Sequence, residues 1–104
     1  MAYNLIVTDR ADELIDDSVY YLIDKLKNPD AAKHLLDGID KIYDRLEENP
    51  FQFPESPDDY LKRRRYREAL VPEMSYRIVF RVEEPDVYIV GVFHELKNHT
   101  AKIE

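Results

Sequence analysis

Residues 75–94 read SYRIVFRVEEPDVYIVGVFH, and the fold turns on how this stretch pairs with itself. Two runs rich in β-branched and aromatic residues, Ser75 to Val82 and Val87 to His94, flank a Glu84-Pro85-Asp86 break, the pattern of two strands joined by a turn. A hairpin with Val82 opposite Val87 sets Arg81 against Tyr88, Val79 against Val90, Arg77 against Val92 and Ser75 against His94. Alternation then sorts two faces. One carries Tyr76, Ile78, Phe80, Val82, Val87, Ile89, Gly91 and Phe93 and needs an apolar cover; the other mixes Arg77, Arg81, Tyr88 and His94 with Val79, Val90 and Val92. In this register Arg77 is a diagonal neighbour of His94, roughly 7 Å away at the backbone, so guanidinium and imidazole converge on one anionic group. Arg81, about 13 Å further along, serves a neighbouring group.

Upstream, Tyr66 to Val71 predicts a further strand before the turn at Pro72-Glu73-Met74, which makes a three-stranded antiparallel meander. Pro50, Pro54 and Pro57, with Phe51 and Phe53 between them, predict a stiff, extended connection over Pro50 to Tyr60. Before it lie two amphipathic stripes. Ala11, Leu14, Ile15, Val19, Leu22, Ile23 and Leu26 form the first; Ala32, Leu35, Leu36, Ile39, Ile42, Tyr43 and Leu46 form the second. Asn28 as cap and Pro29 at the first position separate the two helices, and Asn49-Pro50 stops the second. Joined by so short a link, they predict an antiparallel helix hairpin that covers the apolar sheet face. Tyr3 to Thr8 predicts a first strand. The expected fold is therefore α+β: strand, helix hairpin, then antiparallel three-strand meander forming one curved sheet, as a single domain over residues 1–104.

A chain of 104 residues sits near the modal domain size, and 44% apolar residues with only 2 Gly exclude disorder and collagen-like classes. The absence of cysteine excludes a disulfide scaffold, a thiolate zinc site and a cysteine nucleophile, and makes the cytoplasm the expected location. Leu5-Ile6-Val7, the longest early apolar run, stops at Thr8-Asp9-Arg10, so neither a signal peptide nor a membrane partner is expected. Charge is banded. Residues 1–60 hold 6 basic and 15 acidic side chains, a net of −9, whereas residues 61–82 hold 7 basic and 2 acidic, a net of +5. A basic band in an acidic protein suits a phosphate backbone or an acidic partner segment; it also suits arginines that simply offset the acidic helices.

The order strand, helix hairpin, three-strand meander, with Tyr66-Arg67 opening the meander, Ser75-Tyr76-Arg77-Ile78-Val79-Phe80 in its middle strand and Val90-Gly91-Val92-Phe93-His94 in its last, resembles the RelE/ParE superfamily of type II toxins. The second helix closing on Leu46-Glu47-Glu48-Asn49-Pro50 is similar to the family's helix end followed by proline. The resemblance implies a toxin held inactive by a cognate antitoxin. It implies either a RelE-like endoribonuclease that cuts messenger RNA on the ribosome, or a ParE-like poison of DNA gyrase; a relative that only binds antitoxin is the third reading. In the nuclease reading Arg77 matches the family arginine of the middle strand and Arg67 a basic residue of the preceding one, while Ala69 stands where a second basic residue is expected. His94 would move the proton, Arg77 and Arg67 would hold the phosphorane charge, and Glu68 is an alternative base. Arg81, Tyr88 and Lys97 join them as substrate or partner contacts. Lys62, Arg63, Arg64 and Arg65, with Arg67, are expected to meet an acidic antitoxin segment that folds on binding.

Each residue also has a plainer reading. A His near a strand end is commonly a hydrogen-bonded structural residue, and Arg77 or Arg81 can pair with a carboxylate from an adjacent element. His34 and His99 lack ligand-type partners at helical spacing, and no phosphate loop or nucleotide fingerprint is present, so no metal and no cofactor are expected. On the site reading, Arg77→Ala abolishes toxicity without unfolding the chain.

Overall fold

A computed structural model describes residues 2–94. In chain order these form β1 (Asn4–Val7), α1 (Asp9–Tyr20), a π-helical turn (Tyr21–Lys25), α2 (Pro29–Glu48), a 3-10 turn (Pro50–Gln52), α3 (Asp59–Arg63), β2 (Tyr66–Leu70), β3 (Tyr76–Glu83) and β4 (Asp86–His94). The starts of the helices follow from their caps. Thr8 accepts from the Ala11 N–H at 3.1 Å, and its own hydroxyl donates to the Ile89 carbonyl at 2.8 Å, which ties the first turn of α1 to β4. Asn28 accepts from the Ala31 N–H at 3.1 Å with Pro29 next to it, and Asn49 takes the extended conformation that ends α2.

The sheet is α+β as expected, with strand order β1-β4-β3-β2. Strands β2, β3 and β4 form the antiparallel meander; β1 lies parallel to β4 at the edge, a pairing that the long helical crossover permits. Leu35, Ile39, Ile42 and Leu46 of α2, with Ala11 and Leu22, bury against Ile78, Phe80, Val87, Ile89 and Val92. Each of the Leu, Ile, Val and Phe side chains contributes about 1.5–3 kcal/mol by leaving water, which is what holds helices to sheet. Among the described residues no helix is long and apolar enough to cross a membrane.

Three details depart from the sequence pattern. In the π-helical turn the Leu26 N–H reaches back to the Tyr21 carbonyl at 3.1 Å, a wider turn that rotates the stripe. Ile23 and Leu26, expected in the buried stripe, are therefore exposed, and Leu36 of α2 is exposed too. The Pro50–Tyr60 connection is not extended throughout: it makes the 3-10 turn, bridges Glu55 to Arg67 alongside β2, and then enters α3, which Asp58 caps by accepting from the Leu61 N–H at 3.1 Å.

The third departure decides the site. Near the turn the hairpin pairs as predicted, Val82 with Val87 and Arg81 with Tyr88. Between Val79 and Phe80 the register shifts: Phe80 opposes Ile89 but Val79 opposes Gly91, leaving Val90 as the extra residue of a β-bulge. Side chains alternate with period two, so one inserted residue exchanges the faces of everything after it. Arg77 now opposes Phe93 rather than Val92, and His94 opposes Tyr76 rather than Ser75. Val92 and His94 consequently share the helix-covered face with Ile78 and Tyr76, and Gly91 and Phe93 move to the face of Arg77 and Arg81. A Cβ at Gly91 would run into the Phe93 ring and lie 3.3 Å from Leu14, so the glycine is what lets that ring fold down. Leu14, Val79 and Phe93 form a second buried cluster there.

Candidate functional site

On the face opposite the main core, cross-strand pairing lays the side chains out in rows. Ile6, Tyr88, Arg81 and Tyr66 make one row across all four strands; Gly91, Val79 and Glu68 make the next; Phe93, Arg77 and Leu70 the third. Arg77 and Arg81 thus share a face, as expected, but His94 is not with them. The single anion pocket predicted between Arg77 and His94 does not form, because the bulge turns the imidazole to the other side of the sheet.

Arg77 is occupied. Its Nη1 donates to Glu68 Oε1 at 2.7 Å, with the two side chains 19% and 4% exposed. The Ser56 hydroxyl donates to the other carboxylate oxygen at 2.5 Å and accepts from the Asp58 N–H at 3.2 Å. One buried carboxylate therefore links β3, β2 and the turn that opens α3. A carboxylate engaged through both oxygens is poorly placed to take a proton from a substrate, and a guanidinium in a buried ion pair has little charge left for a phosphate. The Arg77 Nε is buried and has no hydrogen-bond partner among the described residues.

Arg67 lies on the other face, since it pairs with Phe80, and so cannot act beside Arg77. Its Nη1 donates to the Phe53 carbonyl at 2.7 Å and its guanidinium sits 5.0 Å from the centre of the Phe51 ring, which pins the Pro50–Gln52 turn to the sheet. Ala69, where a second cation was sought, is buried opposite Ile78. Arg81 is different from all of these: its side chain is 43% exposed, its nearest carboxylate is the exposed Glu83 at 3.6 Å, and tyrosines stand on both sides of it. Lys62, Arg63, Arg64 and Arg65 are exposed on and just after α3, with Arg64 stacked 3.9 Å from the centre of the Tyr60 ring. Lys97 lies outside the described residues.

His94 packs edge-on against Tyr76 with ring centres 5.3 Å apart. Both border a groove of about 790 Å³ between α1, the π-helical turn and the end of β4, whose lining includes Arg10, Ser18, Tyr21 and Lys25. Burial pushes the Tyr76 phenol above its ordinary range; a hydrogen bond with Ser18 opposes this, and the nearby Tyr21 adds to it. On α2, burial followed by the charges of Asp12 and Asp40 pushes Tyr43 up to about 12, and its hydroxyl has no partner among the described residues. Sequence reasoning did not find this groove, because its aromatic rim, Tyr20 and Tyr21, depends on the α-to-π transition. It also missed α3 and Ser56, although Asp58-Asp59 followed by Lys62-Arg63 is the charge order of a short capped helix.

Comparison with known proteins was made at three levels. The family described as ParE toxin of type II toxin-antitoxin system, parDE, matches residues 5–99. No curated protein matches the sequence. Among solved structures, a chain described as the chromosomal ParDE TA system from P. aeruginosa superposes with a TM-score of 0.72 at 17% identity, covering 89% of this chain and 96% of that one. At that identity the likeness speaks for the fold.

Proposed function

Because the chain belongs to the ParE toxin family of type II toxin–antitoxin systems, we propose that it harms its host by seating on a target protein, in the manner of a gyrase poison, and not by cutting messenger RNA. The observation that carries this reading is the bulge at Val90. It sends His94 behind the sheet from Arg77, while Glu68 neutralises Arg77 and Arg67 braces a loop on the far side. Cleavage by a 2′-hydroxyl needs a proton acceptor, a proton donor and fixed cations around one phosphate. Here the four residues expected to supply them are divided between two faces, and two of them are paired with each other. The cell compartment in this reading is the cytoplasm, where gyrase works, and the groove beside Tyr20 and Tyr21 suits the apolar part of an antitoxin.

The test is induction in a bacterial host, with the purified chain assayed in parallel on gyrase. Inhibited supercoiling, accumulation of cleaved gyrase–DNA complexes and unchanged messenger 5′ ends are expected. Codon-positioned cuts in messages, with supercoiling intact, overturn the proposal in favour of the nuclease. Growth untouched by induction leaves only the antitoxin-binding role.

A further inference from the structure

The sheet has two edges, and the chain treats them differently. Along β2, residues 54–56 lie as a partial extra strand: the Glu68 N–H donates to the Pro54 carbonyl at 3.1 Å, the Ser56 N–H donates to the Tyr66 carbonyl at 2.9 Å, and Glu55 bridges to Arg67. The β1 edge has no such cover among the described residues. The Asn4 N–H donates to the Pro85 carbonyl at 2.9 Å and the Thr8 N–H to the Ile89 carbonyl at 3.1 Å, so Asn4, Ile6 and Thr8 turn their main-chain groups toward β4. Leu5 and Val7, which alternate with them, turn theirs outward, where nothing among the described residues meets them.

The same edge leaves the core unfinished. Leu5 and Val7 pack against the main core yet stay only partly buried, while the residues they pair with, Val87 and Ile89, are 0% exposed. Ile6, on the other face, is 37% exposed. Unpaired edges are commonly blunted by charge, proline, a bulge or shortness; Asn4–Val7 has only the last, being 4 residues long.

We propose that β1 is a self-association edge, on which a second copy of this chain pairs its own β1 antiparallel. Register fixes the occupant. With Leu5 opposite Val7 of the second copy, a two-fold axis passes between facing Ile6 residues, and each of the two Leu5–Val7 pairs exchanges two hydrogen bonds through the groups that point outward. Sliding two residues one way sets Leu5 against Leu5 and calls on the Tyr3 N–H, which already donates to the Glu47 carbonyl at 3.1 Å; sliding the other way sets Leu5 against Asp9, inside α1. Only the first register uses every free group. Residues directly opposite share a face, so Leu5 and Val7 cover each other's open flank beside the core, and Ile6 meets Ile6 on the other side. Like charges do not face each other, since Asp9 stands opposite Tyr3. The rows of Ile6, Tyr88, Arg81 and Tyr66 in the two copies then run end to end across one continuous sheet. This goes beyond the function above and does not depend on which target is hit.

The test is sedimentation equilibrium on the full chain from about 10 μM to about 1 mM, the range suited to a small interface. A dimer that grows with concentration is expected, and it should strengthen as salt screens the charge of −7 on each copy. Ile6→Asp sets like charges face to face about 5 Å apart and should weaken the dimer about tenfold or more while the melting curve stays unchanged. Leu36→Asp makes the same charge change on an exposed apolar residue of α2 and should weaken it less than about twofold. The chain has no cysteine, so Ile6→Cys reads the register independently: facing Cα atoms about 4.5 Å apart are within disulfide reach, and mild oxidation should link two copies there faster than through Lys33→Cys on α2. The proposal is overturned if the chain stays monomeric throughout, if the two Asp variants lose affinity equally, or if Ile6→Cys links no faster than Lys33→Cys. None of these outcomes bears on supercoiling or message cleavage, so the proposal and the function above fail separately.

Discussion

The two ends of the β3–β4 ladder obey different rules. At the turn end, Val82 faces Val87 and Arg81 faces Tyr88, as strict alternation from the Glu84-Pro85-Asp86 break requires. At the far end, past Val90, every side chain of β4 is on the face opposite to the one alternation assigns. The consequence is visible in two arginines four residues apart on one face of one strand. Arg81, at the turn end, is half-exposed and loosely paired; Arg77, at the far end, is buried against Glu68 beside the folded-down ring of Phe93. A turn fixes register only as far as the next insertion, and the insertion here converts a would-be active-site rim into a small second core.

The largest effects should come from setting that second core, with Phe93, against the main core, with Phe80. Phe80 and Phe93 are both almost wholly buried, so truncation of either to alanine is expected to cost about 3–5 kcal/mol in denaturant unfolding. The pairings separate the two arrangements. With the bulge, Phe80 and Phe93 lie on opposite faces and their truncations should add to within about 0.5 kcal/mol, while Val79→Ala and Phe93→Leu, which share a cluster, should be coupled by more than that. Strong coupling of Phe80 to Phe93 with none of Val79 to Phe93 would restore the unbroken alternation.

Next is the buried ion pair. Glu68→Ala leaves a mostly buried guanidinium without its counter-ion and should cost about 3 kcal/mol or more; Arg77→Ala leaves the carboxylate stranded and should cost a similar amount. This replaces the expectation that Arg77→Ala would silence the protein while leaving the fold untouched. Replacing both residues, Glu68→Met with Arg77→Leu, should recover most of the loss, since no unpaired charge is then buried. Equal stability of the wild type and Arg77→Ala would show that the far end is as open as the turn end.

A smaller effect at the far end depends on pH. Tyr76 has a folded-state pKa raised above its unfolded value of 10, so its contribution is fully present below pH 10 and is lost as pH rises through the folded value. Tyr76→Phe should flatten that part of the alkaline stability loss, measured as denaturant midpoints between pH 9 and about 11. What remains belongs in part to Tyr43, whose folded value of about 12 extends the same loss to higher pH.

The helices and the order of the elements were legible in the sequence because their signals are local: a stripe at three-and-four spacing, Asn28-Pro29, Asn49-Pro50. The bulge was not, because Val87 to Phe93 contains only Tyr88 as a partly polar marker, and an apolar run gives alternation nothing to check itself against. Gly91 was the one available hint, since a glycine inside a strand commonly marks a bulge or a close approach. The candidate site inherited this blind spot. Arg81 and Tyr88 keep the face that alternation assigns, since they lie between the turn and the inserted residue, and the Lys62–Arg65 run lies outside the hairpin. His94 was misplaced by its parity alone, and Glu68 was weighed as a base because nothing local says that Ser56 and Arg77 will meet it.

The smallest expected effect on stability is at Arg81, and it discriminates more than its size suggests. Its contact with Glu83 is at 3.6 Å between two half-exposed side chains, so Arg81→Ala should change stability by less than about 0.5 kcal/mol, within the usual range for surface positions. Yet the same residue sits between Tyr66 and Tyr88 at the centre of the exposed row. A side chain that contributes so little to the folded state, and is flanked by two aromatic rings at the surface, should report on binding almost free of stability effects. Induction of Arg81→Ala should therefore give a protein with an unchanged melting curve and reduced hold on its partner. If the variant instead melts several degrees lower, Arg81 belongs to the core as Arg77 does, and the two ends of the ladder are not the contrasting pair described above.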